Sequence, residues 1–159
     1  MREFDTNGLR LAEYQAKLFE ASHDRFKCSS SVFLRRFLHS ELLERMDKNN
    51  SAILSLDVIE GLNDIEDEFG ISEYGNTKYN YDSLFWVGYM YRYISYTRNV
   101  STIFLFKTFD YKKLFELYYP LHTQDPEWVI RSLLELYNLN EDYFDPNYRF
   151  KEELRKRVS

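Results

Sequence analysis

The sequence predicts an all-α protein, a compact orthogonal array of about six to eight helices with room for one short extended segment. Three observations favour this class. Apolar residues recur at helical spacing through most of the chain. A Ser, Asn or Asp that can cap a helix precedes almost every such run. Helix breakers are sparse, since the 159 residues include three prolines and five glycines.

Apolar spacing and capping residues together define the predicted helices. They span residues 9–26, 32–47, 56–69, 82–97, 102–107, 111–118 and 127–137, with a last helix after Asp145-Pro146. The expected N-caps are the serines at 29–31, Ser55, Asn80 or Asp82, Ser101, Asp110, Asp125 and Asp145. Gly70 is expected to end the third helix, whose inward residues are Val58, Ile59, Leu62, Ile65 and Phe69.

The length fits a single helical domain over residues 1–159. Residues 1–8 are a candidate for disorder, and residues 139–159 form a C-terminal helical extension. The short apolar piece at 52–54 fits either a strand or an extended lead-in to the next helix.

The helix at 82–97 carries six aromatic rings around its whole circumference, which predicts that it is buried. Gly88 costs about 1 kcal/mol in a helix interior, so we expect another backbone or a bulky ring close to it. Arg92 has two interpretations. It is a structural arginine stacked on rings and tied to a carboxylate or carbonyls, or it is an interface anchor beside Tyr89 and Tyr96.

Composition and charge limit the possible partners. The net charge is −5, which argues against nucleic acid as the main partner, because phosphate binding needs a cationic surface. Cys28 is the single cysteine, which suits a reducing cytoplasm, and the N-terminus has no apolar signal segment. No apolar run approaches the roughly 18 residues of a membrane span. The high aromatic content, 18%, reflects either contact surfaces or a codon-biased genome.

No motif for catalysis, metal or cofactor binding is visible, so the sequence predicts neither an enzyme nor a cofactor. His23, His39 and His122 are far apart, and no H-E-x-x-H, C-x-x-C, G-x-S-x-G or glycine-rich phosphate loop occurs. His122 is either an acid/base group or a loop residue that satisfies local backbone groups.

An acidic segment at residues 57–73 holds seven carboxylates and no cation. It is either a solvated helix face or a docking surface for a cationic partner, whose field would steer association. The partner-binding candidates are Asp64, Glu66, Asp67, Glu68, Arg36, Tyr89, Arg92, Tyr96 and His122.

Residues 31–130 resemble a group of small bacterial proteins found in or near toxin–antitoxin loci. The pieces that carry the resemblance are F-L-R-R-F-L-H-S at 33–40 with Asp47 beyond, D-I-E-D-E-F-G at 64–70, Y-G-N-T-K-Y at 74–79, W-V-G-Y-M-Y-R-Y at 86–93 with Tyr96-Thr97, and Y-P-L-H-T-Q-D-P at 119–126. The usual pattern has W-C after Y-R-Y, where this chain has Ile94 and Ser95.

The resemblance implies an antitoxin-like or accessory component that works by binding a protein, and the expected partner is a cognate toxin encoded next door. A homodimer is compatible with the sequence. Two other functions stay open at this point. One is a toxin or enzyme with a pocket around Arg92, Tyr96 and His122; the other is a DNA-binding autoregulator, which the acidic charge disfavours.

Overall fold

The computed structural model describes residues 1–49 and 51–158, with Ser51 described by its backbone alone. These residues form nine α-helices and two short 3-10 helices, and no strand. The α-helices are α1 (Thr6–Arg25), α2 (Ser30–Leu38), α3 (Glu41–Asp47), α4 (Val58–Phe69), α5 (Tyr81–Arg98), α6 (Thr102–Thr108), α7 (Tyr111–Leu121), α8 (Pro126–Leu136) and α9 (Pro146–Val158). The all-α prediction is confirmed, with nine α-helices in the described part of the chain rather than about six to eight.

Contacts divide the chain into two compact units, Met1–His122 and Thr123–Ser159. In the first unit α5 is the central helix, and α1 packs along it. Twelve of the eighteen residues of α5 are buried, which confirms the prediction of a helix enclosed on most sides. The second unit contains α8, the 3-10 helix Glu141–Phe144 and α9, with the apolar face of α8 buried at Val129, Ile130, Leu133 and Leu134.

The close approach of α1 to α5 occurs at Gly88. A Cβ atom added there would lie 2.8 Å from Cγ of Phe19 and 2.9 Å from the carbonyl oxygen of Gln15. The expected neighbours of this glycine are therefore confirmed, and they are both a ring and a backbone. The absence of a side chain lets the two longest helices of the first unit meet at their backbones.

Most predicted helix starts are confirmed, because a short polar side chain accepts a hydrogen bond from the backbone of the first turn. The confirmed N-caps are Ser29, Asn80, Ser101, Asp110 and Asp125. Gly70 ends α4 with a φ of 84°, and Asn99 ends α5 in the left-handed conformation with a φ of 54°.

The prediction of a single helix over residues 32–47 is wrong, because the helix is interrupted at Ser40. The backbone of Ser40 is extended, and its hydroxyl oxygen accepts a hydrogen bond from the N–H of Leu43 at 3.1 Å. The same hydroxyl donates to the carbonyl of Phe37 at 2.7 Å. One serine thereby ends α2 and caps α3. Its side chain bonds backbone groups that a continuous helix would use, and the apolar spacing of the sequence does not reveal this.

The segment before α4 also differs from prediction. Residues 51–55 form a 3-10 helix rather than a strand or extended piece, and Asp57 rather than Ser55 caps α4. Leu62 and Ile65 are buried as expected, but Ile59 is 51% exposed and Phe69 is 36% exposed. Both apolar side chains therefore lie at the surface.

The first helix begins at Thr6, three residues earlier than predicted, because Asp5 caps it through the N–H of Gly8 at 2.9 Å. The residues before it lie against α5. Arg2 donates its backbone N–H to the carbonyl of Thr97 at 2.7 Å, and Phe4 packs on Tyr93 with ring centroids 4.5 Å apart.

Across the described residues, none of the helices is both long enough and apolar enough to cross a membrane.

Candidate functional site

Arg92 lies at the centre of the first unit and has no exposed surface. Its guanidinium donates from Nη1 to Oδ1 of Asp47 at 3.0 Å, from Nε to Oε1 of Gln15 at 3.0 Å and from Nη2 to Oγ1 of Thr102 at 3.2 Å. Burial lowers the pKa of this guanidinium, and the Asp47 carboxylate opposes the shift. The structure thus supports the structural interpretation of Arg92, tied to a carboxylate.

Asp47 connects three helices through one carboxylate. It accepts from Arg92 of α5 and, at the start of α6, from the hydroxyl of Thr102 at 2.7 Å and the backbone N–H of Thr102 at 3.1 Å. The Gln15 amide in turn donates to the carbonyl of Gly88 at 2.9 Å. This network joins α1, α3, α5 and α6, so its first consequence is to fix how they pack.

Two tyrosines predicted to bind a partner, Tyr89 and Tyr96, instead contact other residues of this protein. Tyr96 is 4% exposed and donates its hydroxyl to the carboxylate of Asp5 at 2.7 Å. Tyr89 is half-buried, stacks on Tyr93 with centroids 6.4 Å apart and meets the edge of Phe4. Both rings hold the N-terminal residues against α5.

The acidic residues of α4 divide into two classes. Arg25 of α1 donates two hydrogen bonds to the carboxylate of Glu66, at 3.0 and 3.1 Å, which holds the pKa of Glu66 below its usual range. Glu68 accepts from the backbone N–H of Glu41 at 3.2 Å. Asp64 and Asp67 are exposed, and neither carboxylate has a hydrogen bond or ion pair within the described residues.

We refer to the depression between α3 and α4 as the α4 groove. It has a volume of about 450 Å³ and is lined by Glu41, Leu42, Arg45, Asp64, Ile65, Asp67 and Glu68. Four carboxylates face one cation, so the groove is acidic. Leu42 and Ile65 lie beneath the carboxylates and are almost fully buried, with 4% and 1% of their surface exposed.

Large apolar side chains are exposed in the loop that follows α4. Ile71 is 81% exposed and Tyr74 is 80% exposed. Arg36 lies nearby, since its guanidinium donates to the carbonyl of Gly70 and lies 5.8 Å from the ring centre of Phe69. Arg36 therefore fastens the start of this loop to α2.

His122 ends α7 and donates from Nδ1 to the carbonyl of Tyr118 at 2.8 Å. This bond is the backbone role expected for a loop histidine, and its ring also stacks on Tyr118 at 4.4 Å. His122 lines a shallow depression of about 440 Å³, the aromatic cleft, whose lining is Glu20, Asp82, Phe85, Trp86, Tyr118 and His122.

Arg92, Tyr96 and His122 occupy different surroundings, so the structure does not assemble the pocket imagined for a toxin or enzyme. His122 lies beside Trp86 in the aromatic cleft. At 1.5 Å per residue, Arg92 and Tyr96 lie about 9 and 15 Å further along α5 than Trp86. Arg92 is enclosed by its network, and Tyr96 bonds the N-terminal segment.

In the described part of the chain, no three His, Cys, Asp or Glu side chains converge in a way that could hold a metal ion. Cys28 is buried, and burial raises the pKa of its thiol. Such a thiol is a poor nucleophile at neutral pH.

No family model matches this chain, and no curated protein and no solved structure matches it significantly. The likeness to proteins of toxin–antitoxin loci therefore stays a prediction.

Sequence reasoning missed two features of these surfaces. The division of the acidic face depends on Arg25, which lies 41 residues from Glu66 in the chain. The aromatic cleft draws on α1, α5 and α7. A partial signal for it was present, since Asp82, Phe85 and Trp86 share one helix face at spacings of three and four.

Proposed function

We propose that this protein is a non-enzymatic binding module, an antitoxin-like component of a bacterial toxin–antitoxin or defence locus that binds and neutralises a basic partner protein. The observation that carries the proposal is the pair of unbonded carboxylates, Asp64 and Asp67, in the α4 groove. Exposed apolar side chains follow in the adjoining loop at Ile71 and Tyr74. Charge with adjacent apolar area is typical of a protein-docking surface.

The resemblance of residues 31–130 to proteins of toxin–antitoxin loci supplies the class of partner, a toxin encoded by the neighbouring gene. The net charge of −5 is complementary to a cationic toxin.

Co-expression with the neighbouring gene product tests the proposal. We expect a stable complex on co-purification and relief of growth arrest when the neighbour alone is toxic. The double variant Asp64→Asn/Asp67→Asn should bind the neighbouring gene product at least about fivefold more weakly, since each exposed charge pair contributes up to about 1 kcal/mol.

The matched control is Glu135→Gln/Glu153→Gln, which removes two exposed charges from the second unit. It changes the net charge by the same amount and should leave binding within about twofold. Absence of a complex, or an equal loss in both double variants, would reject the α4 groove as the docking surface.

A further inference from the structure

The aromatic cleft is a second surface with its own chemistry, separate from the α4 groove. Asp82, Phe85 and Trp86 project from the first turns of α5, while Tyr118 and His122 come from the end of α7. Glu20 of α1 completes the wall. The depression thus combines four rings with two carboxylates.

Three of the four rings, those of Trp86, Tyr118 and His122, contact one another. Trp86 and Tyr118 meet edge to face with ring centroids 5.9 Å apart. The His122 ring stacks on Tyr118 with centroids 4.4 Å apart. Phe85, Trp86 and Tyr118 are half-buried, so each ring is anchored and still keeps part of its surface in the cleft. Rings that are already held in position can bind a ligand at little cost in side-chain entropy.

Asp82 lies in the first turn of α5, where a carboxylate favours the helix dipole, and Glu20 lies on α1. Neither Glu20 nor Asp82 has a hydrogen bond or ion pair within the described residues. Burial raises the pKa of the Tyr118 phenol, and the nearby charge of Asp82 adds to this shift. An unneutralised carboxylate beside aromatic faces attracts a cation through both charge and the ring quadrupole.

We infer that the aromatic cleft binds an arginine side chain of the basic partner protein, with the guanidinium against Trp86 and its charge balanced by Asp82 and Glu20. A planar guanidinium stacks on rings and bonds carboxylates at its edge, which an ammonium group cannot do equally well. The cleft is shallow and open, so it suits a side chain presented by a protein surface. This inference rests on the proposed function for the origin of the arginine.

Trp86 provides the measurement. The chain has two tryptophans, and replacing the other one, Trp128→Phe, leaves Trp86 as the single indole fluorophore. We titrate this variant with a blocked Gly-Gly-Arg-Gly-Gly peptide at low salt. The expected result is a saturable change in Trp86 emission, with a much smaller change for the same peptide carrying neutral, isosteric citrulline.

Charge removal in the cleft should weaken this binding. Glu20→Gln/Asp82→Asn in the same background is expected to raise the apparent Kd about fivefold, because two exposed charge pairs are lost. Circular dichroism checks that the helices persist. Asp64→Asn/Asp67→Asn should leave the emission change intact, which keeps this test independent of the α4 groove and of the partner's identity.

Three results with the peptides would overturn the inference. They are the absence of a saturable emission change, an equal change with the citrulline peptide, and an equal response in Glu20→Gln/Asp82→Asn. Tighter binding of tetramethylammonium than of the arginine peptide would also overturn it, because the cleft would then be a site for a small quaternary amine.

Discussion

At the scale of single residues, two positions on α5 determine how the first unit is built. Gly88 lets α1 approach so closely that the carbonyl of Gln15 would lie 2.9 Å from an added Cβ. One turn further on, Arg92 is buried without exposure and is bonded by side chains of three other helices. Gly88 stabilises the fold because its missing side chain allows close packing of α1 and α5. Arg92 stabilises it because its buried charge is paired and hydrogen-bonded.

Gly88→Ala is expected to destabilise the protein by about 1–3 kcal/mol, although alanine favours helices by about 1 kcal/mol over glycine. The added Cβ would meet backbone atoms of α1, which cannot rotate away. Urea unfolding monitored by circular dichroism measures the change. Gly61→Ala is the comparison, because its shortest contact is the hydroxyl of Tyr14 at 2.6 Å, the end of a side chain. An equal or smaller loss at Gly88 would contradict the close backbone approach.

Asp47→Asn should cost about 3 kcal/mol or more, because it leaves the buried guanidinium of Arg92 without its counter-charge. The control on the same helix is Glu44→Gln, whose carboxylate pairs with Lys48 at 3.3 Å on an exposed surface. That variant should lose less than about 0.5 kcal/mol. Chemical denaturation of both variants decides the point, and similar losses would show that the Arg92 network contributes little to stability.

At the scale of elements, side chains from outside a helix decide where it begins and what it touches. Ser40 divides one apolar-periodic stretch into α2 and α3 because its hydroxyl serves both helix ends. Asp5 starts α1 and also accepts from Tyr96 of α5, so the cap joins two helices. Capping is therefore part of the tertiary packing here as well as a local signal.

The Asp5 cap should make stability depend on pH in acid. Hydrogen bonds from the Gly8 N–H and the Tyr96 hydroxyl hold the pKa of Asp5 below the usual 3.8. Its stabilising effect is therefore fully present well above pH 4 and is lost as the pH falls through the lowered folded-state pKa.

Asp5→Asn is expected to reduce stability at neutral pH and to flatten the decline between about pH 5 and pH 2. Urea midpoints at several pH values measure both effects. Glu3→Gln is the control, since the Glu3 side chain has no hydrogen bond within the described residues. A decline as steep in Asp5→Asn as in the unchanged protein would be incompatible with this role.

At the scale of the whole molecule, the distribution of charge supports the proposal of a basic partner protein. The chain carries a net charge of −5. Carboxylates without a hydrogen bond or ion pair among the described residues lie both in the α4 groove and in the aromatic cleft. Fields of this kind act over about 10 Å at 0.1 M salt and accelerate encounter with a cation.

Association with the neighbouring gene product should therefore slow about tenfold or more between 50 and 500 mM salt. Stopped-flow fluorescence measures the association rate, and the dissociation rate should change far less. The Glu135→Gln/Glu153→Gln variant should keep the same salt dependence. An association rate that does not respond to salt would contradict electrostatic steering.

The sequence by itself determined the all-α class, most of the helix starts and the close packing at Gly88. These features depend on periodicity, on capping residues and on an unfavourable glycine, all of which are local. Burial of α5 was also predictable, because rings around a whole circumference leave no face for water.

Only the tertiary structure decided which charges are available to a partner. Arg25 reaches Glu66 from another helix and Asp47 reaches Arg92, over 41 and 45 residues of chain. Asp64 and Asp67 have no hydrogen bond or ion pair with any other described residue. The aromatic cleft likewise joins side chains of α1, α5 and α7. Charge pairing and cleft formation are properties of spatial neighbours, and a single sequence records only neighbours along the chain.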